Sequence, residues 1–150
     1  MIVVDASVAV KWFLRENHSD NAITLLTLDR KLVAPTVAIY EVTGAFVRAL
    51  RRNDIDLEIA VESRDRWLNT VRTNVLRLES DSRDIVRATE IASTLEHAFA
   101  DCVYLAMAER LDTPLVTADS VLFEKANKAT DRVVHISNVL DLCPAIATSN

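Results

Sequence analysis

A single glycine, Gly44, stands in a chain of 150 residues. Phosphate-cradling loops of the GxxxxGK(S/T) and GxGxxG types need several glycines so that the backbone can approach the ligand closely. P-loop nucleotide hydrolases and ordinary dinucleotide-binding domains are therefore excluded, and so is the G-x-S-x-G nucleophile elbow. Cysteine is nearly as scarce. Cys102 and Cys143 make no disulfide framework, so both read as small apolar core residues and a cytoplasmic location is the default. Basic charge is not in excess either: 17 Lys and Arg face 22 Asp and Glu, for a net charge of −5. That balance argues against coating nucleic acid by bulk attraction, but leaves room for an enzyme that reaches phosphates through bound metal ions. Long apolar runs are missing too. CVYLAMA stops well short of the ~20 residues needed to span a bilayer. No charged and apolar leader precedes the first strand, so neither a membrane association nor a secretory signal is expected.

What is present is alternation. Residues 2–4 form a short apolar run of the kind a fully buried strand shows, and 6–15 read as a helix. A second helix is expected over 19–30, capped by Ser19 or Asp20, with Ile23 and Leu26 facing inward. A short strand fits 32–34, and Pro35 suits the first residue of a long helix running to about Arg52. Asp54 or Asp56 starts a helix to about Val71 with Ile59, Trp67 and Leu68 on its apolar side. A strand fits 75–78, followed by a helix that Ser80 or Asp81 would cap and that runs through Leu95. Another helix covers about 100–111, then a strand 115–117, a helix 120–128 and a strand 133–136. Strands alternating with helices predict an α/β fold with a parallel sheet of four to five strands and helices on both faces. One domain spanning residues 1–150 is expected, with a weakly ordered tail over about the last eight residues.

In open α/β sheets the ligand site lies beyond the carboxyl ends of the strands. Asp5, which follows IVV, and Asp119, which follows PLVTA, both stand there. Glu41 lies inside the long helix with Val37, Ala38, Gly44 and Ala45 on its face, where a carboxylate is expensive unless paired. Gly44 costs about 1 kcal/mol against alanine in a helix interior, which would make sense if backbone or ligand passes close to Glu41. Asp101 opens the apolar helix ADCVYLAMAER. Each aspartate alone is adequately explained as an N-cap, and Glu41 as half of a buried salt bridge to arginine. Together, four carboxylates on one cleft repel each other unless divalent cations neutralise them. Mg²⁺ and Mn²⁺ favour such oxygen ligands and support phosphodiester hydrolysis.

The segments MIVVDASVAVKWFL, EVTGAF, FADCVYLAMAERL and PLVTADSVLF, in this order and spacing, resemble the PIN-domain family, specifically the ribonuclease toxins of VapBC toxin–antitoxin systems. The resemblance runs from residue 1 to about 140. It implies a three-layer α/β/α domain that cuts RNA with Mg²⁺ or Mn²⁺ in an acidic pocket. By position it implies catalytic and metal-binding roles for Asp5, Glu41, Asp101 and Asp119. Asp5 and Asp101 would be direct ligands, with Glu41 and Asp119 acting directly or through water, and Ser7 and Thr117 would line the pocket. Where the family often carries asparagine three residues after the glutamate, this chain has Gly44, which bears on pocket rigidity and substrate choice. The resemblance also implies a homodimer held inactive by a small cognate antitoxin, whose C-terminal segment lies near the early helices. Trp12, Phe13 and Leu14 would suit that groove.

Other residues carry less. His18, His97 and His135 show no ligand spacing. His97 precedes Asp101 by four residues and could approach the pocket, but it reads as a surface or capping histidine. Arg48, Arg51 and Arg52 form a basic cluster that could steer RNA or simply solvate a helix end. The expectation is a metal-dependent endoribonuclease leaving 5′-phosphate and 3′-hydroxyl ends. The rivals are a non-catalytic receiver-like or PIN-like binding domain and an RNA-processing nuclease outside any toxin–antitoxin pair. A receiver would need an acceptor after a central strand, which VLRLES lacks. A haloacid-dehalogenase-type phosphatase would need D-x-D-x-T, whereas Asp5 is followed by Ala6, Ser7 and Val8.

Overall fold

The structure, a computed structural model, describes residues 1–142. The expectations for Cys143 and for a flexible tail lie outside these residues. Five strands, β1 (Ile2–Val4), β2 (Leu32–Pro35), β3 (Arg77–Glu79), β4 (Leu115–Thr117) and β5 (Val133–His135), form one sheet in the order β3-β2-β1-β4-β5. All four pairings are parallel, and Val3 lies opposite Val33 on one side and Leu115 on the other. Every residue of β1, β2 and β4 is buried, as a parallel sheet with both faces covered requires. The expected α/β architecture is therefore present.

Helices α1 (Ala6–Ala9), α2 (Ser19–Leu25), α3 (Ala38–Arg51), α4 (Leu57–Arg72), α5 (Ile85–Leu95), α6 (Phe99–Leu111) and α7 (Ser120–Ala126) flank the sheet. The most deeply set is α6, where residues 102–108 are all buried. A helix apolar on every side belongs in the interior, and α6 packs against α5, β1, β2 and β4. No helix among the described residues is long and apolar enough to cross a membrane.

Several local expectations are corrected. The first helix does not run to residue 15. After Ala9 it tightens into a 3₁₀ turn at Val10–Trp12, and the Trp12 indole donates to the Ala22 carbonyl at 2.8 Å. The second helix ends at Leu25, not near residue 30, and follows His18 in a left-handed conformation (φ 66). Ser19 does not cap it, because its hydroxyl accepts the Glu16 N–H and donates to the Leu14 carbonyl. Ala22 and Leu25 face inward, whereas Ile23 and Leu26 are exposed. Pro35 is no helix start: it is the last residue of β2, in register with Glu79.

Asp81 does not cap the helix after it either. It accepts from Thr36 Oγ1 at 2.9 Å and from Val37 N at 3.2 Å, and so satisfies the start of α3 across the sheet edge. Helix α5 begins later, at Ile85, after a buried Asp84 that holds Arg110 at 2.7 and 3.0 Å. Asp56 does cap α4, accepting from Ile59 N at 2.9 Å. On that helix Trp67 is buried, while Ile59 and Leu68 are exposed. The strand expected over 75–78 is shifted to Arg77–Glu79.

Candidate active site

The sheet order makes β1 and β4 neighbours at its centre, with the chain leaving β1 towards one edge and β4 towards the other. The crevice beyond their carboxyl ends is the topological switch point, where such folds place ligands. Asp5 and Asp119 are the residues that leave these strands. Asp5 is extended (φ −70, ψ 150) and stands in the cap position of α1, yet its side chain makes no capping bond. Its Oδ2 instead accepts the hydroxyls of Ser7 and, at 2.7 Å, Thr117. Those hydroxyl oxygens are themselves held by the backbone N–H groups of Ala118 and Asp119, each at 3.0 Å. Two backbone donors thus orient two hydroxyls onto one carboxylate oxygen, and Oδ1 takes no part in the network.

Glu41, from α3, accepts the Tyr104 hydroxyl of α6 at 2.7 Å, where an arginine partner was the alternative. Asp101 is the third residue of α6, inside its first turn and past the cap position at Ala98, so the capping explanation fails for it. Asp119 does cap: its Oδ1 accepts the N–H groups of Val121 and Leu122 at 2.8 and 3.0 Å. His97 corrects the surface reading, for its side chain is 9% exposed and Nε2 stands 2.9 Å from Asp101 Oδ2 and 3.8 Å from Asp119 Oδ2.

The electrostatics follow from this crowding. Burial pushes the Asp5 carboxyl from 3.8 up to about 6; the Ser7 and Thr117 hydroxyls oppose the rise, and Asp101 and Glu41 add to it. Burial also raises Glu41, against the Tyr104 hydrogen bond and with help from Asp101. Burial raises Asp101 as well, against His97 and with help from Asp119. Desolvated carboxylates that repel one another are a donor set suited to a divalent cation, and the residues present fit one.

A cavity of about 320 Å³ unites Asp5, Glu41, Asp101 and Asp119 with Ser7, Glu16, Lys11 and Arg48. Thr117, expected to line it, is fully buried behind Asp5. Glu16 and Lys11 escaped the sequence reading. They pair at 2.8 Å, and the one available signal was a lysine interrupting the apolar residues around Trp12. Of the three arginines beyond Glu41, Arg48 reaches the cavity. A Cβ on Gly44 would meet Arg48 Nη1 at 3.3 Å, so its close neighbour is this flexible side chain, not backbone. A second, wider groove of about 1120 Å³ opens between Trp12, Phe13 and Leu26 on one wall and residues of α4 on the other. Leu14 is buried instead.

A family model for the PIN domain matches residues 2–129. A comparison with curated proteins finds no match. Among solved structures, one from a toxin–antitoxin complex of Klebsiella pneumoniae superposes with a TM-score of 0.64 at 14% identity, covering 91% of this chain and 98% of its own. The PAE2754 protein of Pyrobaculum aerophilum gives 0.69 at 23% identity, covering 94% of each chain. VapC20 of Mycobacterium tuberculosis, described as a sarcin–ricin-loop-cleaving toxin, gives 0.63 at 17% identity, with 89% and 98% covered.

Proposed function

The chain belongs to the PIN domain family, and from that premise we propose that it is a metal-dependent endoribonuclease, the toxin of a toxin–antitoxin pair. The observation that carries the reading is the cavity at the β1–β4 switch point, which gathers Asp5, Glu41, Asp101 and Asp119 from separate parts of the fold. Asp5 and Asp101 would hold Mg²⁺ or Mn²⁺ directly, with Glu41 and Asp119 contributing directly or through water. Such a cation polarises a phosphodiester and acidifies water.

The chain's own groups supply the rest. Ser7 and Thr117 fix Asp5 in one rotamer, and Tyr104 does the same for Glu41, so the carboxylates are oriented before substrate arrives. Lys11 and Arg48 on the cavity wall offer positive charge to RNA phosphates flanking the scissile bond. In-line attack by water then leaves a 5′-phosphate and a 3′-hydroxyl. The wider groove suits the antitoxin: Trp12 and Phe13 stand on one wall, and Glu58, Glu62 and Asp65, with one arginine, Arg66, line its α4 side. A segment that is apolar on one face and basic on the other fits it. A homodimer in the cytoplasm completes the reading.

The test uses protein freed of antitoxin and a panel of transfer, ribosomal and messenger RNAs that includes a sarcin–ricin loop. Cleavage in Mg²⁺ or Mn²⁺ that chelation stops and Asp5→Asn abolishes is the expected result. RNA left intact by the native chain, or cut equally by Asp5→Asn, refutes the proposal. A short neighbouring reading frame encoding a protein that binds this chain and silences it separates a toxin from an RNA-processing nuclease.

A further inference from the structure

His97 occupies the turn between α5 and α6, just after Glu96 ends α5 in a left-handed conformation (φ 48). This sharp reversal brings the imidazole back over the first turn of α6. The side chain is nine-tenths buried, and Nε2 points between two carboxylates, 2.9 Å from Asp101 Oδ2 and 3.8 Å from Asp119 Oδ2. Yet Nε2, fully buried, finds no partner aligned for a hydrogen bond. Buried polar atoms are rarely left so, and an imidazole nitrogen aimed at carboxylate oxygens is well placed to offer its lone pair to a shared cation.

The spacing suits that use. One donor atom from each of His97, Asp101 and Asp119 lies within 4.8 Å of the others. Bonds of about 2.1 Å to a first-row divalent ion place its donors roughly 3–4 Å apart. Asp119 is restricted as well, because its Oδ1 is committed to the α7 N–H groups and Oδ2 is the oxygen near His97. Asp5 and Glu41, on the same cavity, offer oxygen donors.

We propose that His97, Asp101 and Asp119 form a nitrogen-containing cation subsite at one end of the acidic cavity, selective for first-row transition ions such as Mn²⁺ over Mg²⁺. The discrimination is chemical: imidazole is a good ligand for transition ions, whereas Mg²⁺ prefers oxygen and gives up its waters reluctantly. The subsite deepens the nuclease reading and rests on it for its catalytic meaning, while its occupancy is measurable without catalysis.

The experiment is pulsed electron paramagnetic resonance of Mn²⁺ on the antitoxin-free protein, beside Mn²⁺ and Mg²⁺ binding isotherms. The native chain should show ¹⁴N coupling from a coordinated imidazole. His97→Ala should lose that coupling and bind Mn²⁺ at least tenfold more weakly, with Mg²⁺ affinity changed less than twofold. His97→Gln, which retains bulk, should behave the same and serves if the alanine variant unfolds. Bound Mn²⁺ without ¹⁴N coupling, coupling that survives both substitutions, or no Mn²⁺ binding at all overturns the subsite. RNA cleavage in Mg²⁺ on the same preparations separates the two ideas: cleavage without ¹⁴N coupling sinks the subsite alone, and ¹⁴N coupling without cleavage in any metal sinks the nuclease reading alone.

Discussion

Asp119 carries two duties on two oxygens. Oδ1 holds the first free N–H groups of α7, and Oδ2 lies beside His97. Asparagine caps as well as aspartate does, so Asp119→Asn should stay within about 0.5 kcal/mol of native stability while cleavage falls. Asp119→Ala should lose both, with about 1 kcal/mol of stability gone, read by denaturant unfolding beside an RNA assay. Asp5 has a different signature. Its folded pKa of about 6 lies above the ordinary 3.8, so between these values the folded chain holds more protons than the unfolded one. Stability therefore falls as pH rises through that window, and Glu41 and Asp101 push the same way. Metal-free protein should lose stability between about pH 4 and 7, with Asp5 accounting for at most ~3 kcal/mol of it. Asp5→Asn should flatten the slope and raise the metal-free Tm at pH 7. A native profile that is flat or rises across that range would contradict this. The carboxylates could be picked out from the sequence because charge on a buried strand end or apolar helix face is anomalous. For His97 the spacing to Asp101 only allowed an approach to the pocket; the reversal at Glu96 is what turns it inward.

At the scale of elements, Asp81 shows why starts are harder to read than strands. It precedes α5 in sequence and has a capping residue's chemistry, but its carboxylate serves Thr36 and Val37 at the start of α3. Asp81→Ala should cost about 1 kcal/mol, and the first amides of α3 should exchange faster while those of α5 are unchanged. Strands β1 and β4 matched the expected bounds because continuous β-branched apolar runs have few alternatives. The first two helices came out shorter than expected. Trp12 and Leu14 are drawn into the core, and a buried indole that bonds a distant carbonyl outweighs helix propensity.

At the scale of the whole molecule, a partly buried ion pair ties α6 to the segment before α5. Arg110 near its end is held by Asp84, which is only 2% exposed, in a bidentate grip at 2.7 and 3.0 Å. Because α6 carries both Asp101 and Tyr104, this clamp helps set the site from its far end. Removing Asp84 leaves Arg110 with only the longer Glu79 contact at 3.8 Å. Asp84→Ala should cost about 2–3 kcal/mol and lower cleavage without changing any carboxylate of the cavity. Urea unfolding and steady-state kinetics together test this.

The sequence by itself determined the class of the fold and singled out the four acids that one cavity brings together. Burying strands and placing helices between them is enforced by local hydrophobic pattern, and a carboxylate in apolar company stands out wherever it occurs. Tertiary structure decided the order β3-β2-β1-β4-β5, which brings Asp5 and Asp119 from 114 residues apart to one switch point. It also decided which aspartate caps, which hydroxyl orients which carboxylate, and that His97, Lys11 and Glu16 join or border the same cavity. Those outcomes depend on which chain segments meet in space, and no local pattern carries that information.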